Sequence, residues 1–252
     1  MMTSPDPSSS WRRSAAPVSI PHDRLDIWRL QLDAPADPES GGSILSPDEI
    51  VRADRYRFAR DKHRFVACRS ALRRLLGEYL AVSAQEVSFE YSATGKPSLK
   101  AENNLHALCF NVAHSGELAL IAFGASQQLG VDIEKIRGEV DTKSLAERFF
   151  SEREREELRA LPEHIQVLAF FACWSRKEAF IKATGDGLSF PLADFSVSVD
   201  PDQRPAVEEI KGSSEAGRRW CLDDLAVGGD YRAAVAVDAL HLPIQTLSFP
   251  WK

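Results

Sequence analysis

The sequence contains little cysteine and no cysteine pair of the kind that binds metal. Its four cysteines are far apart in 252 residues, with no CxxC pair and no histidine at zinc-finger spacing. This spacing excludes a zinc finger of the usual kind. We therefore expect the thiols to be reduced and the protein to be cytoplasmic.

Long apolar runs are also missing. No stretch approaches the ~20 apolar residues of a membrane-spanning helix, so we expect no membrane partner. Arg12-Arg13 resembles a twin-arginine export signal, but only Ser, Ala, Pro and Val follow where an apolar core should stand. We predict that residues 1–20, which are rich in Ser and Pro, form a disordered tail.

An excess of positive charge is the third absence. The chain has 31 Lys and Arg against 37 Asp and Glu, a net charge of -6, which argues against a nucleic-acid-binding protein. Hydrophobic residues make up 44% of the chain, enough for a sizeable core in one or two domains. This composition excludes a disordered or fibrous protein.

The apolar pattern of the first half predicts strands and two helices. Ser46-Pro47-Asp48-Glu49 indicates a helix start, because Ser caps, Pro suits the first turn and the acids face the positive end of the helix dipole. We predict a short helix to Phe58 and a longer one from Asp61 to Leu80. Strands are predicted at 25–32, 87–91, 105–112 and 118–123.

The second half repeats this order. The predicted elements are a strand at 129–134, helices at 145–150, 152–161 and 166–184, and strands at 195–199, 219–222 and 231–237. The segment at 65–70 (FVACRS) matches that at 170–175 (FFACWS) at four of six positions. We therefore predict an α+β fold of two similar halves, 21–126 and 127–252, forming a pseudo-dimer with the active site in the cleft between them.

Two carboxylates are predicted to lie side by side near the boundary between the halves. Asp132 and Glu134 are separated by one residue on a predicted strand, so both side chains point to the same face. Adjacent acids repel each other unless a cation lies between them, and oxygen ligands of this kind suit Mg²⁺. A solvated strand face is the alternative interpretation.

A second candidate group lies on the long helix of the second half. Trp174, Glu178 and Lys182 follow at intervals of four and share one helix face. Because the surrounding helix is strongly apolar, its charged side chains need partners, and Glu178 is a candidate third metal ligand or proton acceptor. An ordinary intrahelical Glu–Lys pair beside a core Trp is the alternative.

Candidate phosphate-binding residues come from the first half. His114 precedes Ser115 and Gly116 at a predicted turn, where an imidazole and backbone N–H groups are able to bind phosphate oxygen. Four basic residues, Arg52, Arg64, Arg69 and Lys96, are further candidates. The alternatives are a structural histidine and ordinary surface cations.

These motifs together resemble one enzyme family. Gly95-Lys96-Pro97, the segment 110–116 (FNVAHSG), the segment 130–134 (GVDIE) and the segment 174–182 (WSRKEAFIK) occur in the order found in two-domain 4'-phosphopantetheinyl transferases of the surfactin-synthetase-activating type. The resemblance runs from about Leu25 to Ala239. It implies two similar α+β halves, with coenzyme A bound between them.

The resemblance also implies a reaction and a site. Such enzymes move the phosphopantetheine arm of coenzyme A to a serine of an acyl or peptidyl carrier protein and release adenosine 3',5'-bisphosphate. The implied Mg²⁺ ligands are Asp132, Glu134 and Glu178. Glu178 and Lys182 are the implied catalytic residues, and the implied coenzyme A contacts are Arg52, Arg64, Lys96, His114 and Lys182.

One position departs from the family pattern, and other functions remain to be separated. Ala113 stands where the family commonly has Ser, so a hydroxyl contact to coenzyme A is missing. A catalytically inactive binding module is expected to lack one of the three acids, and a simple phosphohydrolase has no need of Gly95-Lys96-Pro97. We expect a monomer, and we expect the carrier to contact the arginine-rich helix at 149–161; an ordinary solvated charged helix is the alternative interpretation of that segment.

Overall fold

The computed structural model describes residues 11–14, 19–34, 44–92, 95–101, 104, 107–125, 128–185, 187 and 190–251. Its strands are β1 (Arg12–Arg13), β2 (Leu25–Gln31), β3 (Phe89–Tyr91), β4 (Pro97–Leu99), β5 (Leu108–Ser115), β6 (Leu118–Ala125), β7 (Leu129–Lys135), β8 (Phe195–Val197), β9 (Val207–Ile210), β10 (Cys221–Asp224), β11 (Tyr231–Val237) and β12 (Ile244–Ser248). Its helices are α1 (Pro47–Asp54), α2 (Ala59–Leu80), α3 (Thr142–Phe149), α4 (Glu152–Ala160), α5 (Glu163–Thr184) and α6 (Ser214–Arg218), with a 3-10 turn at Leu192–Asp194.

The same arrangement of elements occurs twice along the chain. In the first half, β2 precedes the helix pair α1–α2 and the hairpin β3–β4. It pairs antiparallel with β6, which pairs antiparallel with β5. In the second half, β7 precedes the helix pair α4–α5 and the hairpin β8–β9. It pairs antiparallel with β11, which pairs antiparallel with β10. This repetition confirms the predicted α+β fold of two similar halves.

The duplication extends to the start of each helix pair. The backbone N–H of Ser46 donates to the Glu49 carboxylate at 2.9 Å, and that of Ser151 donates to Glu154 at 2.8 Å. These two capping boxes are 105 positions apart, and each starts a short helix that is followed by a long helix of 22 residues. This reciprocal capping satisfies backbone donors that a helix leaves open at its first turn.

Three apolar clusters form the core. Helix α2 packs on one face of the first sheet, where Leu72 and Leu76 meet Phe123. Helix α5 packs on the second sheet through Phe170 and Phe180. The other faces of the two sheets pack against each other in the third cluster, which includes Ile27, Leu120, Val131, Ile133 and Val235. The layers therefore run helix, sheet, sheet, helix, and in the described parts of the chain no helix is long and apolar enough to cross a membrane.

At the two chain ends the described residues differ from the predicted division of the chain. Trp11 is 6% exposed and its indole N–H donates to the Ala226 carbonyl at 2.6 Å, while β1 pairs in parallel with β12. The described part of 1–20 is thus ordered against the body of the protein, and residues 1–10 and 15–18 lie outside the described residues. Strand β12, assigned to the half 127–252, pairs with β2 and extends the first sheet instead.

Candidate active site

Strand β7 and helix α5 approach each other unusually closely at Gly130. A Cβ atom added there would lie 2.1 Å from the Ala179 carbonyl oxygen and 2.4 Å from the Ala183 backbone nitrogen. Only glycine therefore allows α5 to lie directly on β7. The contact brings Asp132, two residues further along β7, against Lys182 of α5.

Asp132 is the most buried of the predicted site residues. Its side chain is 5% exposed, and the Lys182 ammonium donates to its Oδ1 at 2.6 Å. The other oxygen, Oδ2, is buried and has no hydrogen-bond partner among the residues that the structure describes. Burial raises the pKa of Asp132, and Lys182 opposes that rise. A buried carboxylate oxygen without a partner is costly, and a cationic ligand would offset that cost.

Glu134 and Glu178 are half-buried beside this carboxylate. Burial, followed by repulsion from Asp132, raises the pKa of Glu134 to about 7. The same two causes, in the same order, raise the pKa of Glu178. These neighbouring carboxylates resist ionisation, and a hard cation bound near them would stabilise their charged forms.

The three acids are not gathered around a common point. Among the described residues, no three His, Cys, Asp or Glu side chains form a group that could hold a metal ion. Lys182 engages one oxygen of Asp132, and Glu134 accepts a hydrogen bond from Ser115. The donor chemistry nevertheless suits Mg²⁺, because all three carboxylates have raised pKa values and one buried oxygen lacks a partner.

His114 and Lys96 lie next to this group. His114 is at the accessible end of β5, where the surrounding protein and the positive charges of Lys182 and Arg64 lower its pKa. The Lys96 ammonium donates to the backbone carbonyls of Leu129, at 3.4 Å, and Lys182. Burial lowers the pKa of Lys96.

The arginines predicted to bind phosphate have other partners in the structure. Arg64 forms a bidentate pair with Asp33, at 2.7 and 2.6 Å, although its charge reaches His114. Arg52 is exposed, with its guanidinium 5.5 Å from the centre of the Phe65 ring. Arg69 is buried beside Glu49. The acids, Lys182, His114 and Lys96 are therefore brought together, whereas Arg52 and Arg69 have other contacts.

Two adjoining cavities lie between the halves, and of the group just described Lys96 and Lys182 contribute to their walls. One, of about 660 Å³, is bounded by the β3–β4 hairpin, β5, the start of β7 and the end of α5. The other, of about 260 Å³, reaches Lys182 and has Lys96, Pro97, Phe110 and Gly185 in common with the first. Such an elongated cleft suits a long ligand with a polar end.

Comparison with known proteins identifies the chain. Residues 36–126 match the family described as 4'-phosphopantetheinyl transferase, N-terminal, and residues 128–236 match the 4'-phosphopantetheinyl transferase superfamily. The 4'-phosphopantetheinyl transferase HetI of Nostoc sp. is 37% identical over 90% of this chain and 93% of its own. The chain belongs to the 4'-phosphopantetheinyl transferase family. This bears out the resemblance inferred from the sequence.

Other relatives of this transferase are similar over shorter lengths. The 4'-phosphopantetheinyl transferase Sfp of Bacillus subtilis is 32% identical over 73% of this chain and 81% of its own. The crystal structure of Thermotoga maritima holo-[acyl-carrier-protein] synthase superposes with a TM-score of 0.34 and 20% identity, over 45% of this chain and 63% of that one.

The position where the transferase departs from its family pattern lies in the core. Ala113 is 3% exposed and belongs to the apolar cluster that contains Val131 and Ile133. Since side chains alternate along a strand, it points away from the face of β5 that carries His114. The methyl group therefore fills core space in this transferase.

Several charged residues near the site are structural in this transferase. On α5, Lys177 is buried, with its ammonium 2.7 Å from both Glu154 oxygens, and the Arg176 guanidinium binds Asp224 at 2.6 and 2.9 Å. The arginines of the predicted carrier-binding helix also have acidic partners: Arg153 pairs with Glu157, and Arg155 and Arg159 pair with Glu147.

Sequence reasoning missed the role of two residues on β5. The side chains of Asn111 and Ser115 accept hydrogen bonds from the backbone N–H groups of Val131 and Lys135, at 3.0 and 3.1 Å. They connect the strand that bears His114 to the strand that bears the acids. Their spacing of four on a strand, which places both on one face, was the available signal.

Proposed function

We propose that this transferase moves the 4'-phosphopantetheine arm of coenzyme A to a serine of an apo acyl or peptidyl carrier protein, with Mg²⁺, and releases adenosine 3',5'-bisphosphate. The carrier substrates belong to fatty acid, polyketide or nonribosomal peptide synthesis. The observation that carries the proposal is the buried Asp132, whose Oδ2 lacks a partner in the described chain. It lies beside two further acids and is bonded to Lys182, which lines the cleft.

The residues divide into a metal-binding group and a coenzyme-binding group. Asp132, Glu134 and Glu178 would hold Mg²⁺, and the raised pKa values of these donors support this assignment. When bound, Mg²⁺ draws negative charge from the pyrophosphate of coenzyme A. The coenzyme-binding residues are Lys182 and His114 at the pyrophosphate, Lys96 at the nucleotide, and Arg52 and Arg64 at the 3'-phosphate.

The chemistry is an in-line displacement at phosphorus. The carrier serine oxygen forms a bond to the phosphorus on the pantetheine side, and the bond from that phosphorus to the bridging oxygen breaks. Lys182 offsets the charge that develops on the departing phosphate. Glu178 takes the serine proton, directly or through a water, or shares this role with Glu134.

We also propose that the enzyme acts as a cytoplasmic monomer. The duplicated halves supply both walls of the cleft from one chain. All four cysteines lie in the described part of the chain and none forms a disulfide, as a reducing compartment requires. Light scattering at micromolar protein tests the monomer, and an obligate dimer or trimer would contradict it.

The decisive experiment is a transfer assay. The protein is incubated with coenzyme A, Mg²⁺ and an apo carrier protein, and the carrier is weighed by mass spectrometry. We expect a gain of one phosphopantetheine arm, which is lost with EDTA or with a carrier whose acceptor serine is replaced by alanine. Hydrolysis of coenzyme A without a mass gain would identify a phosphohydrolase, and an unmodified carrier with intact coenzyme A would indicate a binding module.

A further inference from the structure

The two sheets meet along a seam formed by the edge strands β5 and β7. In the described strands no backbone ladder joins β5 to β7, because β5 pairs with β6 and β7 pairs with β11. Side chains cross the seam instead. Asn111 Oδ1 accepts from the Val131 N–H at 3.0 Å, and Ser115 Oγ accepts from the Lys135 N–H at 3.1 Å.

Asn111 and Ser115 differ in the groups of β7 that they contact. The Asn111 contact with β7 is made to the backbone of Val131, within the core. The Ser115 hydroxyl accepts from the Lys135 N–H and also donates to Glu134 Oε2 at 3.2 Å. Ser115, on β5 of the first half, therefore contacts both the backbone of β7 and a carboxylate of the site on that strand.

The hydroxyl is itself held in place. Ser115 is 6% exposed, and the turn that follows it contains Gly116 at φ +58°. A Cβ atom on Gly116 would lie 2.7 Å from Tyr231 Oη and 2.9 Å from Lys135 Cδ, so the turn packs closely against β7 and β11. This packing limits movement of the hydroxyl relative to Glu134.

We propose that Ser115 is a positioning residue that holds the Glu134 carboxylate beside Asp132 for cation binding. The inference rests on the proposed function, in which Glu134 is a metal ligand. Glu134 has three rotatable bonds, is half-buried and is repelled by Asp132, so an unrestrained carboxylate would turn towards solvent. The bond from Ser115 opposes that rotation, and its strength is increased because the hydroxyl also accepts from Lys135.

The test measures cation binding apart from catalysis. Mn²⁺ alone is titrated into the full-length protein, and the free ion is followed by its electron paramagnetic resonance signal. We expect Ser115→Ala to raise the Kd for Mn²⁺ by about 10-fold, as the loss of a hydrogen bond that orients a metal ligand does elsewhere. Ser115→Thr, which keeps a hydroxyl, should restore binding to within about 2-fold.

Asn111→Ala is the matched control, since it removes the other seam hydrogen bond. We expect it to lower Tm at least as much as Ser115→Ala while leaving the Kd for Mn²⁺ unchanged. In a Glu134→Gln background, Ser115→Ala should have no further effect on Mn²⁺ binding, because Ser115 acts only through the Glu134 carboxylate, which this variant lacks.

The outcomes separate the inference from the function on which it rests. Wild-type Mn²⁺ binding by folded Ser115→Ala, or an equal Kd increase in the Glu134→Gln background, would overturn the positioning role and leave the transferase assignment intact. A wild-type protein that modifies the carrier but binds no Mn²⁺ would overturn the metal assignment, and the role of Ser115 with it.

Discussion

The two halves of the molecule use the same scaffold, but the buried aspartates on the equivalent strands β2 and β7 differ in their hydrogen bonds. In the first half, Asp26 on β2 is 1% exposed and fully bonded, to Arg24 at 2.7 Å and to the Tyr79 hydroxyl at 2.8 Å. In the second half, Asp132 on β7 shares Oδ1 with Lys182 and keeps Oδ2 without a partner in the described chain. Of these two aspartates, only the one in the second half has an oxygen free to bind a further partner.

The long helices carry the same contrast. With Cys68 aligned on Cys173, the positions of Glu178 and Lys182 on α5 correspond to Arg73 and Gly77 on α2. Arg73 binds Glu49 and the carbonyls of Ala84 and Val87, so its donors are used inside the protein. A Cβ atom on Gly77 would lie 2.8 Å from the Val82 carbonyl oxygen, so no side chain extends from there. At these two helix positions the first half has only internal contacts, whereas Lys182 in the second half lines the cleft.

The largest expected effect comes from exchanging one buried acid for alanine in each half. Asp132→Ala should lower transfer by roughly 10³-fold or more, because a metal ligand and the partner of Lys182 are both lost. Its Tm should stay constant or rise, since repulsion among the three acids is relieved. Asp26→Ala should instead lower the free energy of unfolding by about 1–3 kcal/mol, because the Tyr79 hydroxyl loses its acceptor, and leave transfer by the folded protein unchanged.

Transfer rates and thermal melts of both variants test this contrast. An Asp132→Ala protein with wild-type activity would falsify the metal assignment. Loss of transfer by well-folded Asp26→Ala would show that the first half has a catalytic part of its own.

The next effect compares two lysines on the same helix. Lys182→Ala should lower transfer about 10²–10³-fold, through the loss of charge stabilisation at the departing phosphate, with little change in stability. Lys177→Ala should lower the free energy of unfolding by about 3–5 kcal/mol, because it leaves Glu154 buried without its partner. Rates and urea midpoints measured on both proteins check this, and the reverse assignment of effects would contradict the site.

A smaller effect is expected from pH. The pKa of Glu134 is raised to about 7 from 4.5, so ionising this side chain costs more in the folded protein than in the unfolded chain. Without divalent cations, its contribution to stability is full below pH 4.5 and is lost as pH rises through 7. His114, whose pKa is lowered, acts in the opposite direction below 6.5, so the comparison is made with Glu134→Gln.

The measurement is Tm against pH in EDTA for both proteins. We expect Glu134→Gln to become the more stable of the two as pH rises from 4.5 to 7, and Mg²⁺ to raise the Tm of the wild type at pH 7. Parallel profiles would contradict a raised pKa at this position.

The smallest effect concerns the exposed arginine of the first half. Arg52→Ala should raise the KM for coenzyme A by about 2- to 5-fold without changing kcat, because an exposed charge pair contributes about 0.2–1 kcal/mol. The KM for dephospho-coenzyme A, which lacks the 3'-phosphate, should not change. Steady-state kinetics with both substrates decide whether the first half contributes only to coenzyme binding.

Local sequence signals predicted the long helices and the strand that carries Asp132 and Glu134. Ser46 and Pro47 marked a helix start, and alternation on β7 placed Asp132 and Glu134 on one face. The long helices begin two or three residues earlier than predicted, at Ala59 and Glu163, and their ends agree.

Contacts between distant residues were beyond such reasoning. Strand β12 pairs with β2 across about 220 positions, and Trp11 reaches Ala226 across 215. No local pattern encodes such pairings. In the site, the bonds from Arg64 to Asp33 and from Ser115 to Glu134 likewise follow from the packing of separate elements.

The place of β12 has a consequence for the order in which the protein is completed during synthesis. Residues 25–125 leave the ribosome long before residues 244–248, so β2 can pair with β6 early but with its second neighbour, β12, only after those residues have been made. Until then, the edge of β2 that β12 will cover is unpaired, and an unpaired strand edge can form hydrogen bonds with another chain. The half that is translated first is thus the half whose sheet closes last.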